Sequence, residues 1–150
     1  QVAFDSGARQ ITAGSVAVMN PELVEQWIDK YGAKKILLGA DVKNDMVMVN
    51  GWKKNTGLDV YEFITSFMDI GINQIVSTDV SVDGMLVGPS LDLYKKIGDR
   101  FSDLEIVASG GVSSCADLEA LKAVGVRGAI IGKAIYENRI TLKELSIYVD

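Results

Sequence analysis

The chain has 150 residues, 48% of them hydrophobic and 23% charged, with a net charge of −5 at neutral pH. That balance suits a globular chain with enough apolar material for one core, and it excludes a general surface for nucleic acid or an anionic membrane. The absence of histidine and the single cysteine, Cys115, remove the usual Ser and Cys triads, most zinc sites and any intrachain disulfide.

In chain order, VAFDSGA (2–8) reads as the last turn of a helix stopped by Gly7. RQITAGSVAV (9–18) is the first apolar, β-branched run expected to be a strand. Asn20 and Pro21 then open a helix, which Gly32 stops. A second strand is expected at KILLGAD (35–41). It is followed by a long excursion, VKNDMVMVNGWKKNTG (42–57), whose alternation predicts a small β-hairpin. That hairpin either folds over the strand end, with Trp52 free to stack on a flat ring, or faces solvent with Trp52 packed on a rim.

Asp59 and Glu62 have the spacing of a capping box, and Gly71 closes the helix they start. The third strand, QIVSTDV (74–80), runs into VSTDVSVDGMLVGPS (76–90), where two acids and two glycines replace an ordinary turn. The fourth, LEIVASGGV (104–112), leads to a helix with Ser114 and Asp117 at its start and Gly125 at its end. The fifth, GAIIGKAI (128–135), precedes a last helix with Thr141 and Glu144 in capping-box spacing.

Each run is apolar almost without alternation, as in parallel strands buried on both faces. Strand and helix alternate throughout, so the expected class is α/β with a parallel sheet. Two architectures remain. One is a (β/α)8 TIM barrel, which takes roughly 250 residues, so that residues 1–150 form a single partial barrel domain of strands four to eight, lacking about three βα units. The other is a five-stranded, flavodoxin-like, doubly wound sheet.

In either case the chemistry belongs at the C-terminal ends of the strands. The residues there are Gly14 and Ser15, Asp41, Thr78 and Asp79, Ser109 to Gly111, and Gly132 and Lys133. The glycine-rich turns at Gly110–Gly111 and Gly132–Lys133 have the backbone freedom to approach a phosphate, or they are ordinary βα turns. TAGSVAV (12–18) resembles IIGKAIY (130–136), with Gly14 matching Gly132. Small residues recurring at strand ends by chance would look the same. Asp41, ending an apolar run, is the strongest catalytic candidate, with an exposed turn aspartate as the alternative. With no histidine, proton transfer would fall to carboxylates, Lys, Tyr or the one thiol.

Taken together, ILLGADVKND, VNGWKKNTGLD, IVSTDVSVDGMLVGPSLDLYKKI, IVASGGVSS and GAIIGKAIYENRITLKEL resemble a histidine-biosynthesis isomerase family. These are the phosphoribosylformimino-aminoimidazole carboxamide ribotide (ProFAR) isomerases, which are (β/α)8 barrels. The resemblance covers essentially the whole chain. It implies a cytoplasmic, cofactor-free and metal-free enzyme performing an Amadori (aldose–ketose) rearrangement on a small substrate with a phosphate at each end. By resemblance Asp41 is the general acid and Thr78 the hydroxyl that assists it. Trp52, Asp83 and Gly84 would contact substrate. Gly110, Gly111, Gly132 and Lys133 would hold one phosphate, and Gly14 and Ser15 part of the other.

The same resemblance places the partner aspartate and a further glycine turn in units outside these residues. Alone, the chain is therefore expected to lack turnover, and to self-associate or need the missing part, while the whole enzyme is expected to be monomeric. The cyclase subunit of imidazole glycerol phosphate synthase, which shares the barrel and phosphate sites, and a non-catalytic phosphosugar-binding module are the alternatives.

Overall fold

The computed structural model describes residues 1–49, 51–52 and 54–149. Asn50 and Lys53, which flank Gly51 and Trp52 in the expected hairpin, lie outside the described residues. The chain opens with α1 (Val2–Asp5), ended before Gly7 at a φ of 94°, and then β1 (Ile11–Ala13). The first expected strand is cut short here. Gly14 turns the chain and Ser15–Met19 forms α2, because Val16 and Val18 can flank the buried Ala17 on a helix as well as on a strand. Helix α3 (Pro21–Tyr31) starts as expected, with the Asn20 side chain accepting the Leu23 amide at 3.2 Å and Gly32 leaving at a φ of 87°.

Strand β2 (Ile36–Lys43) runs two residues beyond Asp41 into a tight turn. Asn44 and Asp45 sit at φ 52° and 61°, the paired left-handed conformation that two-residue hairpins favour. Strands β3 (Met46–Val49) and β4 (Lys54–Asp59) come next, giving an antiparallel β2–β3–β4 extension where one hairpin was expected.

The remaining elements alternate: α4 (Val60–Met68), β5 (Gln74–Asp79), α5 (Leu91–Arg100), β6 (Glu105–Ser109), α6 (Cys115–Ala123) and β7 (Gly128–Ile130). Short helices α7 (Lys133–Tyr136) and α8 (Leu142–Leu145) follow, then a 3-10 turn at Ser146–Tyr148, and the fifth expected strand is also truncated by a glycine turn. Reciprocal capping boxes form at Ser114–Asp117 and Thr141–Glu144. At α4 the Asp59 carboxylate accepts the Tyr61 and Glu62 amides at 2.8 and 3.2 Å.

The parallel strands pair in chain order, β1–β2–β5–β6–β7. A flavodoxin-like sheet reverses direction part-way along its order; this one does not, so the doubly wound alternative is set aside. Helices cover one face of the sheet. Leu38, Ala40, Ile75, Ile106 and Ala108 point into a core with Val24 of α3, Phe63 and Ile64 of α4, Tyr94 and Ile97 of α5, and Leu121 of α6. The alternate residues, including Leu37, Val76 and Val107, are only partly buried. Burial on both faces is therefore not realised among the described residues. Among them, no helix is long and apolar enough to cross a membrane.

Candidate active site

Parallel register brings the candidate side chains into one row. Asp41 pairs with Thr78, Thr78 with Ser109, and Ser109 with Ile130, while Met48 of the antiparallel extension lies on the other side of Asp41. Period-two alternation points all of them to the face that the helices leave open. There they line a cleft of about 230 Å³ with Thr12, Gly14, Ser15 and Gly39. Gly39 is needed for that closeness. A Cβ on it would lie 2.9 Å from Thr12 Cγ2 and 3.0 Å from Gly14 Cα, so only glycine lets the Gly14 turn sit against β2.

The hairpin extension delivers Trp52 to the same place. Its indole Nε1 donates to Asp41 Oδ2 at 2.9 Å, and the residue remains 42% exposed. Trp52 therefore orients the carboxylate while keeping ring surface available. The sequence leaves ring stacking and rim packing both open for Trp52, and the hydrogen bond to Asp41 carries no sequence signal, because only the folded extension brings the two residues together.

Ser109 and Ile130 also line a second cleft of about 220 Å³, with Asp83, Gly84, Gly110, Gly111, Gly132 and Lys133. Asp83 and Gly84 thus lie in the second cleft, not in the Asp41 row. Gly110 and Gly111 have φ of 95° and 79°. Their loop is clasped to residues 80–90: Gly88 donates its amide to the Gly111 carbonyl at 3.0 Å, and a Cβ on Gly111 would meet Gly88 O at 2.1 Å. Lys133 Nζ donates to the Gly84 carbonyl at 2.8 Å and lies 3.6 Å from Glu137. In this state its charge is shared between the loop and its own helix.

Asp79 serves the loop rather than the cleft. Its carboxylate accepts the Ser81 amide at 2.8 Å and the Ser81 hydroxyl at 2.6 Å, and it also accepts the Ser90 hydroxyl. One side chain thus ties both ends of the 80–90 segment together, the behaviour expected of Asx-type loop residues.

The two glycine turns that resemble each other in sequence also match in backbone. Gly14 has φ −91° and ψ −115°, Gly132 has φ −116° and ψ −91°, and each caps a short helix. Their carbonyls accept the amides of Ala17 and Ile135 at 2.8 and 3.0 Å. They stand at the ends of β1 and β7, the two outer members of the parallel order. Among the described residues no group of three His, Cys, Asp or Glu side chains is placed to hold a metal ion.

Sequence reasoning does not single out Thr12 or Tyr94, and it marks Ser109 only as a strand end. The phenol of Tyr94, fully buried, donates to the Ser109 carbonyl at 2.9 Å and accepts the Ser109 amide at 3.2 Å. Burial pushes its pKa up to about 12, which keeps it a neutral donor and acceptor. Its spacing in α5 marks it as core, and that is its one visible signal.

A family model described as "Histidine biosynthesis protein" matches residues 1–141. A protein of Bacteroides fragilis (strain ATCC 25285) is 52% identical over 148 residues, covering 99% of this chain and 62% of the relative. Its name is 1-(5-phosphoribosyl)-5-((5-phosphoribosylamino)methylideneamino) imidazole-4-carboxamide isomerase. Proteins of the same name from Bacteroides thetaiotaomicron and Cytophaga hutchinsonii are 49% and 48% identical, covering 99% and 97% of this chain and 62% and 61% of the relatives. The chain thus spans about three-fifths of the length of these relatives.

Proposed function

This chain belongs to the histidine biosynthesis protein family, and from that premise we propose that it carries one side of the active site of a cytoplasmic aldose–ketose isomerase. The substrate is the N-linked phosphoribosyl compound that the relatives' name describes, with a phosphate at each end, and the reaction is an Amadori rearrangement. The five parallel strands are read as an arc, strands four to eight, of a (β/α)8 barrel within which residues 1–150 form one partial domain. Sequential strand order supports the arc, and so does the half-exposed apolar face of Leu37, Val76 and Val107, which the inside of a closed barrel would cover.

The observation that carries the reading is the Asp41–Thr78–Ser109 row lying in the cleft that Gly14 and Ser15 border, and adjoining through Ser109 the cleft of the Gly110–Gly111 and Gly132–Lys133 turns. A ligand with two phosphates would have each phosphate at a glycine turn and its ribose near Asp41 and Thr78. Asp41, held by the Trp52 indole, acts as the acid that protonates the ribose ring oxygen, so the C1–O bond breaks and an iminium forms. A base then removes the C2 proton, giving an enaminol that tautomerises to the aminoketose. Thr78 is the hydroxyl that assists at Asp41, and the base is assigned to a carboxylate from a further βα unit.

Because acid and base are both carboxylates, the reaction needs neither histidine nor cofactor. The whole enzyme is proposed to act as a monomer, without nucleic acid or membrane partners.

The test is an isomerase assay of the complete enzyme, with product identified by mass and NMR. Ketose formation without ammonia, lost in Asp41→Asn, is the expected result. A requirement for ammonia and formation of an imidazole ring would assign the cyclase reaction instead, and full turnover by Asp41→Asn would remove Asp41 from the mechanism.

A further inference from the structure

Ser90 breaks a local rule. It stands at the N-cap of α5, where a serine hydroxyl ordinarily accepts a first-turn amide, yet its side chain makes no such bond. The hydroxyl donates instead to Asp79 Oδ2, eleven positions back at the end of β5. The other carboxylate oxygen, Oδ1, accepts the Ser81 amide at 2.8 Å and the Ser81 hydroxyl at 2.6 Å. Each oxygen thus holds a different end of the segment between β5 and α5.

Alternation along β5 turns Thr78 to the open face and Asp79 to the helix side. There Asp79 borders a separate hollow with Ser81 and with Leu93 and Lys96 of α5. It lines neither of the two clefts of the candidate site. Any influence of Asp79 on substrate therefore passes through the chain that it holds.

That chain carries the rim of the second cleft. The Asp79 carbonyl accepts the Asp83 amide at 3.2 Å. Gly110 packs so closely here that a Cβ on it would lie 3.0 Å from Asp79 O and 3.4 Å from Asp83 Cα. At the far end, just before Ser90, the Gly88 amide bonds to the Gly111 carbonyl. Asp83 and Gly84 line the cleft between these anchors. With both ends held, the stretch has little freedom to carry them away from Gly110.

We propose that Asp79 is a positioning residue: by gripping Ser81 and Ser90 at once, its carboxylate keeps Asp83 and Gly84 at the rim of the second cleft, in place to bind substrate. The kinetic consequence rests on the isomerase reading; the grip itself does not.

The experiment uses the complete enzyme with three substitutions. Asp79→Ala removes both ties and Ser90→Ala removes one, whereas the amide of Asp79→Asn can still accept from Ser81 and donate to the Ser90 oxygen. A hydrogen bond to a charged group shifts a local equilibrium by about tenfold to a hundredfold. Amide hydrogen exchange at Asp83 and Gly88 is therefore expected to quicken at least about tenfold in Asp79→Ala and Ser90→Ala, and by more than at Ile97 on the buried face of α5. KM is expected to rise at least about fivefold in Asp79→Ala with kcat within about threefold, because a loosened rim lowers the binding-competent fraction. Asp79→Asn should stay within about threefold of the parent in both constants. In an Asp83→Ala background, Asp79→Ala should cost less in kcat/KM than it does in the parent, since the residue it positions is gone.

Four results overturn the proposal: an unchanged KM in folded Asp79→Ala; an asparagine variant as impaired as the alanine one; equal costs of Asp79→Ala in the two backgrounds, the mark of a merely structural role; or exchange at Asp83 and Gly88 that quickens only in step with Ile97. Should Asp79→Ala fail to fold, Ser90→Ala gives the same readings from one end of the loop. If the parent enzyme does not isomerise, the isomerase reading fails, and the exchange rates alone uphold or refute the grip.

Discussion

Gly111→Ala tests how the loop after β5 and the turn after β6 hold each other. At φ 79° an L side chain costs roughly 1–2 kcal/mol from its own backbone. The added Cβ would also lie 2.1 Å from Gly88 O and 2.8 Å from Gly88 C, backbone atoms with no rotamer to retreat into. Restoring ordinary contact requires the 80–90 segment to move by about an ångström, with an overpacking cost of about 1–3 kcal/mol. That movement also breaks the Gly88 N–H to Gly111 carbonyl bond, which contributes about 1 kcal/mol.

The sum is about 3–6 kcal/mol, a large part of the 5–15 kcal/mol typical of a domain. Gly125→Ala is the matched control: its φ is 85°, but among the described residues nothing lies within 4 Å of the added carbon. That variant should lose only the backbone cost of roughly 1–2 kcal/mol. Urea unfolding of both variants, with m held common, reads the difference directly. Equal losses within about 0.5 kcal/mol, the usual error of additivity, would refute the clasp between Gly88 and Gly111.

Four further outcomes are expected. Asp41→Asn should lower kcat by about 10²–10⁴-fold, the usual contribution of a general acid, with the fold unchanged by circular dichroism. Trp52→Phe keeps a ring but removes the donor to Asp41, so it should lower kcat and leave KM nearly unchanged, whereas Trp52→Ala should raise KM as well; equal kinetics for the two would remove the stacking role. Ser77 is fully buried and its hydroxyl has no partner among the described residues, so Ser77→Ala should stabilise by about 1 kcal/mol in thermal unfolding. Destabilisation instead would mean that the hydroxyl has a partner.

The last outcome concerns alkaline pH. Tyr94 titrates near 10.0 when exposed and at about 12 in the fold, so the folded state holds its proton more tightly. Its contribution of about 2–3 kcal/mol is fully present below pH 10 and disappears as pH rises to about 12. Tyr94→Phe should flatten that part of the stability profile, and an unchanged slope between pH 10 and 12 would show that another group controls it.

The alternation of elements and most of their punctuation were readable from local chemistry. Asn20–Pro21, Ser114–Asp117 and Thr141–Glu144 cap helices because a side-chain oxygen can reach an amide two or three residues away in any fold. Gly32, Gly71 and Gly125 all have the positive φ that a helix stop requires. The Gly14 and Gly132 turns are paired by a short match of small residues, and their backbones agree. Local chemistry was least informative in the two β-branched runs through those glycines. There the same residues serve strand or helix equally well, and the run length overstated the strand.

By itself, then, the sequence determined an α/β chain with catalytic-type residues at strand ends, because burial, capping and glycine conformations act over a few residues. Tertiary structure decided which ends meet. Parallel register alone sets Asp41 beside Thr78 and Thr78 beside Ser109, and it assigns Asp83 and Gly84 to a neighbouring cleft. It also turned Asp79 into a loop tie, Trp52 into a partner for Asp41, and a core tyrosine into a hydrogen-bond partner of the Ser109 backbone. Each of these contacts spans eleven or more positions and depends on where whole elements pack. A linear pattern of residue types carries no distance of that kind.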